Sequence, residues 1–159
     1  MNTQKQLHDM FDYRSGHLYW KRSPNSRIAI GSIAGSVSNG YATIQINGKK
    51  YLAHRLIFMY HHGYCPEIID HINNNKADNR ISNLRGVDPF QNAQNAKLRK
   101  DNTSKAKGVC WHISIGKWCV SVRINNKQKH IGAFDDWELA ALVAQEARDK
   151  YYGSFARYE

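Results

Sequence analysis

Residues 68–96 read IIDHINNNKADNRISNLRGVDPFQNAQNA, and their pattern predicts a short series of secondary-structure elements. Ile68-Ile69 and Leu84–Val87 are short apolar runs on either side of a polar segment rich in asparagine, which predicts two strands joined by a loop. Asp88-Pro89 then supplies a helix N-cap and a proline at the first helical position. The predicted order is strand, loop, strand, helix.

Four polar residues occupy set places in this order. Asp70 and His71 lie at the end of the first strand, Asn83 lies just before the second, and Asn92 lies in the first turns of the helix. This spacing resembles the HNH endonuclease motif, with asparagine in place of the final histidine, as in an H-N-N version among homing members. The matching residues also include His54-Arg55-Leu56, Asn79 and Asn83-Leu84-Arg85. The resemblance implies a metal-dependent DNA nuclease.

The resemblance also implies a role for each residue, and the roles suit phosphodiester hydrolysis. His71 is the expected general base, because imidazole accepts a proton near neutral pH. Asn83 is expected to accept a hydrogen bond from His71 and so orient the ring. Asp70 and Asn92 offer the hard oxygen ligands that one Mg²⁺ (or Mn²⁺) ion prefers, with Asn95 as the alternative to Asn92. No structural zinc is expected.

A purely structural interpretation stays open for each residue alone. In that interpretation Asp70 caps a turn, His71 is a partly buried histidine with its hydrogen bonds satisfied, and the asparagines serve a loop that needs unusual backbone angles.

The region upstream of the motif is predicted to be rich in β structure. Tyr41–Ile46 alternates between apolar and polar residues and Asn47-Gly48 suits a two-residue turn, so a hairpin should continue through Tyr51. The segment Gly16-His17-Leu18-Tyr19-Trp20 is similar to the N-terminal part of phage and intron-encoded HNH homing enzymes.

A short helix is predicted between this hairpin and the motif. Residues 54–62 have apolar side chains at helical spacing, and Gly63 can adopt the left-handed conformation that ends a helix. Arg55 near its start is a predicted contact to a DNA phosphate, with packing or capping as the open alternative. His61 and His62 are assigned structural places at the end of the helix.

The C-terminal part predicts a small sheet with one helix. Trp118–Ile124 alternates strictly, Asn125-Asn126 can turn the chain, and Lys127–Ile131 can return as a partner strand, with a third strand around Val109. A helix with an apolar face should follow, starting at a capping box of Asp135 and Glu138 and ending before Gly153.

This part of the chain resembles the three-stranded DNA-binding domain of plant ethylene-response factors. The resemblance is based on Lys107-Gly108-Val109, Gly116-Lys117-Trp118, Arg123, Ile131-Gly132-Ala133-Phe134, Ala140-Ala141 and Gly153. It implies that the helix covers one face of the sheet and the other face enters the major groove of DNA. Arg123 is the predicted specificity residue and Lys117 a phosphate contact; a solvated or protein-binding face is the alternative. The predicted DNA contacts are Arg55, Arg85, Lys97, Arg99, Lys107, His112, Lys117, Arg123 and His130.

Composition sets limits that agree with these patterns. The formal net charge is +10 over 159 residues, which favours a polyanionic partner such as nucleic acid. Cys65, Cys110 and Cys119 form no C-x-x-C pair, so neither disulfides nor a zinc knuckle is predicted. No apolar run suits a membrane span and the N-terminus lacks a secretion signal, so the expected location is the cytoplasm of a bacterium or phage-infected host, without secretion.

The sequence therefore predicts an α+β chain in two modules. Residues 1–98 form the predicted HNH domain, whose ββα-metal core covers about 64–98, residues 99–106 a basic linker, and residues 107–159 the DNA-binding domain. The predicted function is a phage or mobile-element homing-type endonuclease that nicks or cuts duplex DNA as a monomer or homodimer. A non-cleaving DNA-binding regulator is the main alternative, and an RNA-directed protein is a third.

Overall fold

A computed structural model of the chain describes residues 3–157 and has a mixed α and β fold. The helices are α1 (Gln4–Met10), α2 (Ala53–His62), α3 (Pro89–Gln94) and α4 (Trp137–Tyr152). The strands are β1 (Phe11–Arg14), β2 (His17–Trp20), β3 (Ser36–Ser38), β4 (Tyr41–Ile46), β5 (Lys49–Leu52), β6 (Ile68–His71), β7 (Leu84–Val87), β8 (Val109–His112), β9 (Lys117–Ile124) and β10 (Lys127–Phe134). The chain divides into two compact units, Met1–Val87 and Asp88–Glu159.

The first unit is built from antiparallel strand pairs around α2. β1 pairs with β2, β4 lies between β3 and β5, and β6 pairs with β7. The predicted hairpin is confirmed as β4–β5, with Asn47 and Gly48 both at positive φ in its turn. The predicted helix is confirmed as α2, which ends at Gly63 in the left-handed conformation.

The core of the first unit fixes α2 against the N-terminal elements. Leu7 of α1, Phe11 of β1, Leu18 of β2, Ile44 of β4 and Ile57 of α2 are the most deeply buried side chains. The sequence did not identify α1 or the β1–β2 hairpin, although Thr3 and Gln6 form a capping box at the start of α1. This core supports the strand pair β6–β7, where the predicted active-site motif begins.

The second unit starts one residue before α3. Asp88 caps α3 and forms a capping box with Gln91, and Pro89 is the first helical residue, as predicted. The unit boundary at Val87/Asp88 thus falls before α3, whereas the predicted module boundary falls at residue 98. Within the unit, α3 contacts the short turn Gly153–Phe155 that follows α4.

The three-stranded sheet of the second unit is antiparallel in the order β10-β9-β8, and α4 packs on one of its faces. Val120 and Val122 of β9 and Ala140 and Ala144 of α4 are buried, as the alternation predicted. The N-cap of α4 is Asp136, whose side chain accepts from the amide of Leu139. The predicted start at Asp135 is therefore one residue too early, and the predicted capping box with Glu138 is not formed, because the residue three after Asp136 is Leu139. No helix within residues 3–157 is long and apolar enough to cross a membrane.

Candidate active site

His71, the last residue of β6, is the centre of the candidate site. Only 6% of the residue is exposed, and its Nε2 lies 3.0 Å from Oδ1 of the buried Asn79. Because an amide oxygen only accepts hydrogen bonds, Nε2 carries the proton in this pair. In the neutral ring, Nδ1 is then the nitrogen able to take up a proton.

His54, in the first turn of α2, packs directly against His71. The two ring centroids are 5.2 Å apart in an edge-on contact, and the ring of Tyr41 lies 5.7 Å from His54 and 6.5 Å from His71. Burial, followed by the charges of His71 and Arg55, lowers the pKa of His54 to about 4. His54 is therefore neutral at neutral pH, and it adds no positive charge next to His71.

Asn83 closes the loop between β6 and β7. Its Oδ1 accepts from the backbone amide of Asn73 at 3.0 Å, and its Nδ2 donates to Oδ1 of Asn73 at 2.9 Å and to the carbonyl of Asp78 at 2.7 Å. The hydrogen bond predicted between His71 and Asn83 is made by Asn79 instead. The amide of Asn83 points into the loop, where buried backbone groups need partners.

Hydrogen bonds between Asp78 and Arg80 also stabilise the loop between β6 and β7. Oδ1 of Asp78 accepts from Nε of Arg80 at 2.8 Å, and Oδ1 also accepts from the backbone amide of that residue at 3.3 Å. The hydrogen bonds from Arg80 hold the pKa of Asp78 far below its usual range. Asp78 is thus ionised at any physiological pH and keeps the loop closed next to Asn79.

Asp70, beside His71 on β6, forms a largely buried ion pair with Arg85 of β7. Nε and Nη2 of Arg85 lie 3.0 and 2.8 Å from Oδ2 of Asp70, and the two side chains are 12% and 15% exposed. The two residues are direct partners in the β6–β7 register. The structure therefore places a predicted metal ligand and a predicted DNA contact in one ion pair.

The remaining predicted metal ligand lies in the other unit. Asn92 is exposed in α3, and Asn95 is buried at the C-cap of the same helix. Within residues 3–157, no group of three or more His, Cys, Asp or Glu side chains is arranged to hold a metal ion.

Arg55 supports the chain that leads into β6. Its two terminal nitrogens donate to the carbonyls of Glu67 and Pro66, both at 3.0 Å. These contacts agree with the alternative that Arg55 has a packing role, because its guanidinium donates hydrogen bonds to carbonyl oxygens of the protein. Its role as a DNA contact stays a prediction.

The exposed sheet face of the second unit contains several of the other predicted contacts. Cys110 and His112 of β8, Cys119 and Ser121 of β9, and His130 of β10 line a shallow cavity of about 560 Å³ on this face. The side chain of Arg123 is exposed, and its backbone amide donates to the hydroxyl of Tyr152. Lys117 pairs with Asp135 at 3.0 Å in a solvent-exposed ion pair.

The predicted contacts in the linker differ in their burial. Lys97 and Arg99 are exposed, and Arg99 pairs with Asp101 at 2.7 Å. Nζ of Lys107, in contrast, donates to the carbonyls of Ala96 and Arg157 at 2.7 and 2.9 Å. Burial, together with the charges of Arg148 and Arg157, lowers the pKa of Lys107 to about 8.

Comparison with known proteins places the candidate site in a family. Residues 51–94 match the family described as HNH endonuclease. Protein 3.8 of Escherichia phage T7 is 34% identical over 90 residues, which are 57% of this chain and 74% of that protein. The chain therefore contains a region of the HNH endonuclease family, at residues 51–94.

A second relative comes from a giant virus. "Uncharacterized HNH endonuclease L560" of Acanthamoeba polyphaga mimivirus is 34% identical over 121 residues, which are 74% of this chain and 62% of that protein. No solved structure matches the chain. The match to residues 51–94 includes His54, His71, Asn79 and Asn83, so the HNH family region covers the buried histidine pair and the loop that braces it.

The donor chemistry of this HNH site suits a hard divalent cation. Mg²⁺ commonly uses one or two carboxylates and keeps several water ligands, so Asp70 with an amide oxygen is a sufficient set. The guanidinium of Arg85, however, lies within hydrogen-bonding distance of Oδ2 of Asp70. A cation at Asp70 would have to compete with Arg85 for this oxygen or share the carboxylate with it.

Proposed function

We propose that the protein is a homing-type endonuclease of phage or mobile-element origin, which hydrolyses phosphodiester bonds in duplex DNA with one divalent cation. The observation that supports this most directly is the buried His71, whose ring is fixed by Asn79 at the end of the strand that also holds Asp70. A histidine with one nitrogen occupied by a carbonyl acceptor has its other nitrogen available for proton transfer.

In this proposal His71 removes a proton from the attacking water through Nδ1. Asn79 keeps the proton on Nε2, and the rings of neutral His54 and of Tyr41 pack near the His71 ring. Asn83 is a positioning residue that holds the loop in place through Asn73 and Asp78.

Asp70 and Asn92 are the residues that would hold the divalent cation, Mg²⁺ or Mn²⁺, with Asn95 as the alternative to Asn92. When bound, such an ion neutralises negative charge that develops on the scissile phosphate. Arg85, which is paired with Asp70 here, would be able to contact a phosphate if a cation took over the charge of Asp70.

We propose that the second unit binds the DNA, through the face of the sheet opposite α4. His112, Lys117, Arg123 and His130 lie on β8, β9 and β10, and a two-stranded β-ribbon fits the major groove. We expect Arg123→Ala to weaken binding to target DNA more than to random duplexes, and Lys117→Ala to weaken both equally and reduce the salt dependence. Filter-binding titrations at several salt concentrations measure both effects.

A plasmid-nicking assay tests the catalytic proposal. The wild-type protein with Mg²⁺ or Mn²⁺ is expected to convert supercoiled DNA to open circles, and to stop when EDTA is added. His71→Ala should lose cleavage and keep its DNA gel shift. His17→Ala is the matched control, because His17 is an exposed histidine on β2 of the same unit. Equal cleavage by wild type and His71→Ala would exclude His71 as the base.

The second candidate function is a DNA-binding regulator that does not cleave. The Asp70–Arg85 ion pair favours it, because an arginine next to Asp70 can replace a metal ion as the source of positive charge. The nicking assay separates the two candidates: a regulator shifts DNA but leaves it supercoiled with either metal. Parallel titrations with RNA and DNA duplexes test the RNA-directed alternative, and sedimentation of the DNA complex distinguishes a monomer from a homodimer.

A further inference from the structure

The second unit contains a second cavity, which is lined by several cationic side chains. Its volume is about 480 Å³, within the range of sites that bind small molecules. Among its lining residues in the described part of the chain, five are cationic and none is acidic. The cations are Lys97, Arg99, Lys107, Arg123 and Arg148.

The innermost of these cations are balanced by carbonyl dipoles. Nζ of Lys107 donates to the carbonyls of Ala96 and Arg157, and Nη1 of Arg148, which is 7% exposed, donates to the carbonyl of Lys107 at 3.2 Å. Burial and the positive charges of Arg148 and Arg157 lower the pKa of Lys107 to about 8. Because five cationic and no acidic side chains of the described residues line the cavity, the lining favours an anionic ligand.

Aromatic rings that line the same cavity favour an anion that also contains a planar ring, such as a nucleotide. Phe90 and Tyr152 line it together with the cations, and Phe90 is 37% exposed. Aromatic side chains beside arginine and lysine are the combination that binds nucleotides, with rings against the base and cations at the phosphate. A cavity of this size holds a single nucleotide and excludes a duplex.

We infer that this cavity binds one nucleotide through its phosphate monoester, with the phosphate at the cationic side chains and the base against Phe90 or Tyr152. The source is either a free nucleoside monophosphate or the 5′-phosphorylated end of a DNA strand. The inference overlaps with the proposed DNA function, and rests on it to that extent, because the two share four residues. These residues, which line the cavity and are also predicted DNA contacts, are Lys97, Arg99, Lys107 and Arg123. It requires no step of the cleavage chemistry.

Calorimetric titration of the full chain in EDTA tests the inference without cleavage. Deoxyadenosine monophosphate should bind saturably, and deoxyadenosine should bind at least about tenfold more weakly, because it lacks the charged hydrogen-bond acceptor. A short single strand with a 5′ phosphate is compared with the same strand without it. Tighter binding of the phosphorylated strand than of the free nucleotide identifies a strand end as the ligand, and the reverse order identifies the free nucleotide.

Three variants locate the binding. Arg148→Met should weaken binding of the monophosphate about tenfold or more, and the double change Lys97→Gln with Arg99→Gln serves if Arg148→Met does not fold. Phe90→Ala should weaken the monophosphate and leave inorganic phosphate unchanged. Lys127→Gln, an exposed lysine in the β9–β10 turn region of the same unit, is the matched control.

Two results would overturn the inference. One is equal affinity for deoxyadenosine and its monophosphate, and the other is an equal loss in Lys127→Gln and in the cavity variants. Failure of the nuclease proposal is seen separately, as an absence of nicking with metal, and it leaves these binding measurements in EDTA unaffected.

Discussion

Nε2 of His71 and Oδ1 of Asn79 are 3.0 Å apart in a buried hydrogen bond that links the end of β6 to the loop before β7. This bond fixes which ring nitrogen carries the proton, because the amide oxygen accepts only. The arrangement of His71 is therefore determined by a loop residue, and the loop is in turn closed by Asn83.

Replacement of Asn79 by alanine is expected to slow nicking by about 10- to 100-fold, the range seen when residues that orient a catalytic histidine or ligand are removed. Asn79→Asp keeps an acceptor for Nε2–H and should retain more activity than Asn79→Ala. Time courses of plasmid nicking measure the rates, and ¹⁵N chemical shifts of the His71 ring report the tautomer. Gln45→Ala is the control, because it removes an exposed side-chain amide from β4 of the same unit. Unchanged shifts in Asn79→Ala would contradict the role.

Local sequence patterns predicted the elements around the site correctly. The β4–β5 hairpin, α2, the β6–β7 pair and the capped start of α3 all followed from alternation, turn residues and caps. These features depend on neighbours along the chain, and for that reason a single sequence reveals them. The start of α4 was misplaced because Asp135 and Asp136 are both acceptable N-caps, and only the geometry selects Asp136.

The details of the site depend on contacts that no local pattern contains. Asn73, Asn79 and Asn83 lie in one loop and have identical side-chain donors and acceptors. Which of them bonds to His71 is decided by the path of the loop in space. The contact between His54 and His71 joins α2 to β6, and the resemblance to the HNH motif at His54-Arg55 was the only signal for it.

A glycine in the β1–β2 turn is expected to control this loop from a distance in sequence. Gly16 has φ +90°, and a Cβ atom there would lie 2.8 Å from the backbone nitrogen of Arg80 and 3.1 Å from the carbonyl carbon of Asn79. Gly16→Ala should therefore lower the free energy of unfolding by about 2 kcal/mol or more and reduce nicking, because the added methyl displaces the segment that holds His71.

Gly116→Ala is the matched control for this change. Gly116 also has a positive φ, +61°, but a Cβ there meets nothing within 4 Å. Gly116→Ala should therefore lower the free energy of unfolding by only about 1 kcal/mol, the cost of a positive φ at alanine, and should nick DNA normally. Urea denaturation gives both free energies, and equal effects of the two substitutions would argue against contact with the loop.

Stability should depend on pH through His54. The folded-state pKa of about 4 is below the ordinary 6.5, so between these values the unfolded chain takes up a proton that the native state excludes. This contribution is fully present above pH 6.5 and is lost as pH falls towards 4, by up to about 3 kcal/mol. His54→Gln should flatten this part of the stability curve.

The measurement is the difference in unfolding free energy between wild type and variant from pH 7 to pH 4. His17→Gln, at an exposed histidine, should leave the slope of the wild type unchanged. A wild-type slope that persists in His54→Gln would show that other groups cause the acid sensitivity.

The Asp70–Arg85 pair yields the last prediction, which concerns competition for a carboxylate. Both side chains are at most 15% exposed, so removal of the guanidinium leaves a buried negative charge with less compensation. Arg85→Met should lower the free energy of unfolding by about 1–3 kcal/mol in EDTA. Arg99→Met is the control, because the Arg99–Asp101 pair is exposed and should contribute no measurable stability.

If Asp70 is a ligand of the divalent cation, the same Arg85→Met protein should bind Mn²⁺ more tightly than wild type, because the cation no longer competes with an arginine for Oδ2 of Asp70. Asp70→Asn should bind Mn²⁺ less tightly and lose nicking while it still shifts DNA. Electron paramagnetic resonance of free Mn²⁺ measures the affinity. Addition of Mn²⁺ should also restore the thermal stability of Arg85→Met, because the cation then supplies the positive charge next to Asp70. Identical Mn²⁺ affinity in wild type, Arg85→Met and Asp70→Asn would place the cation away from Asp70.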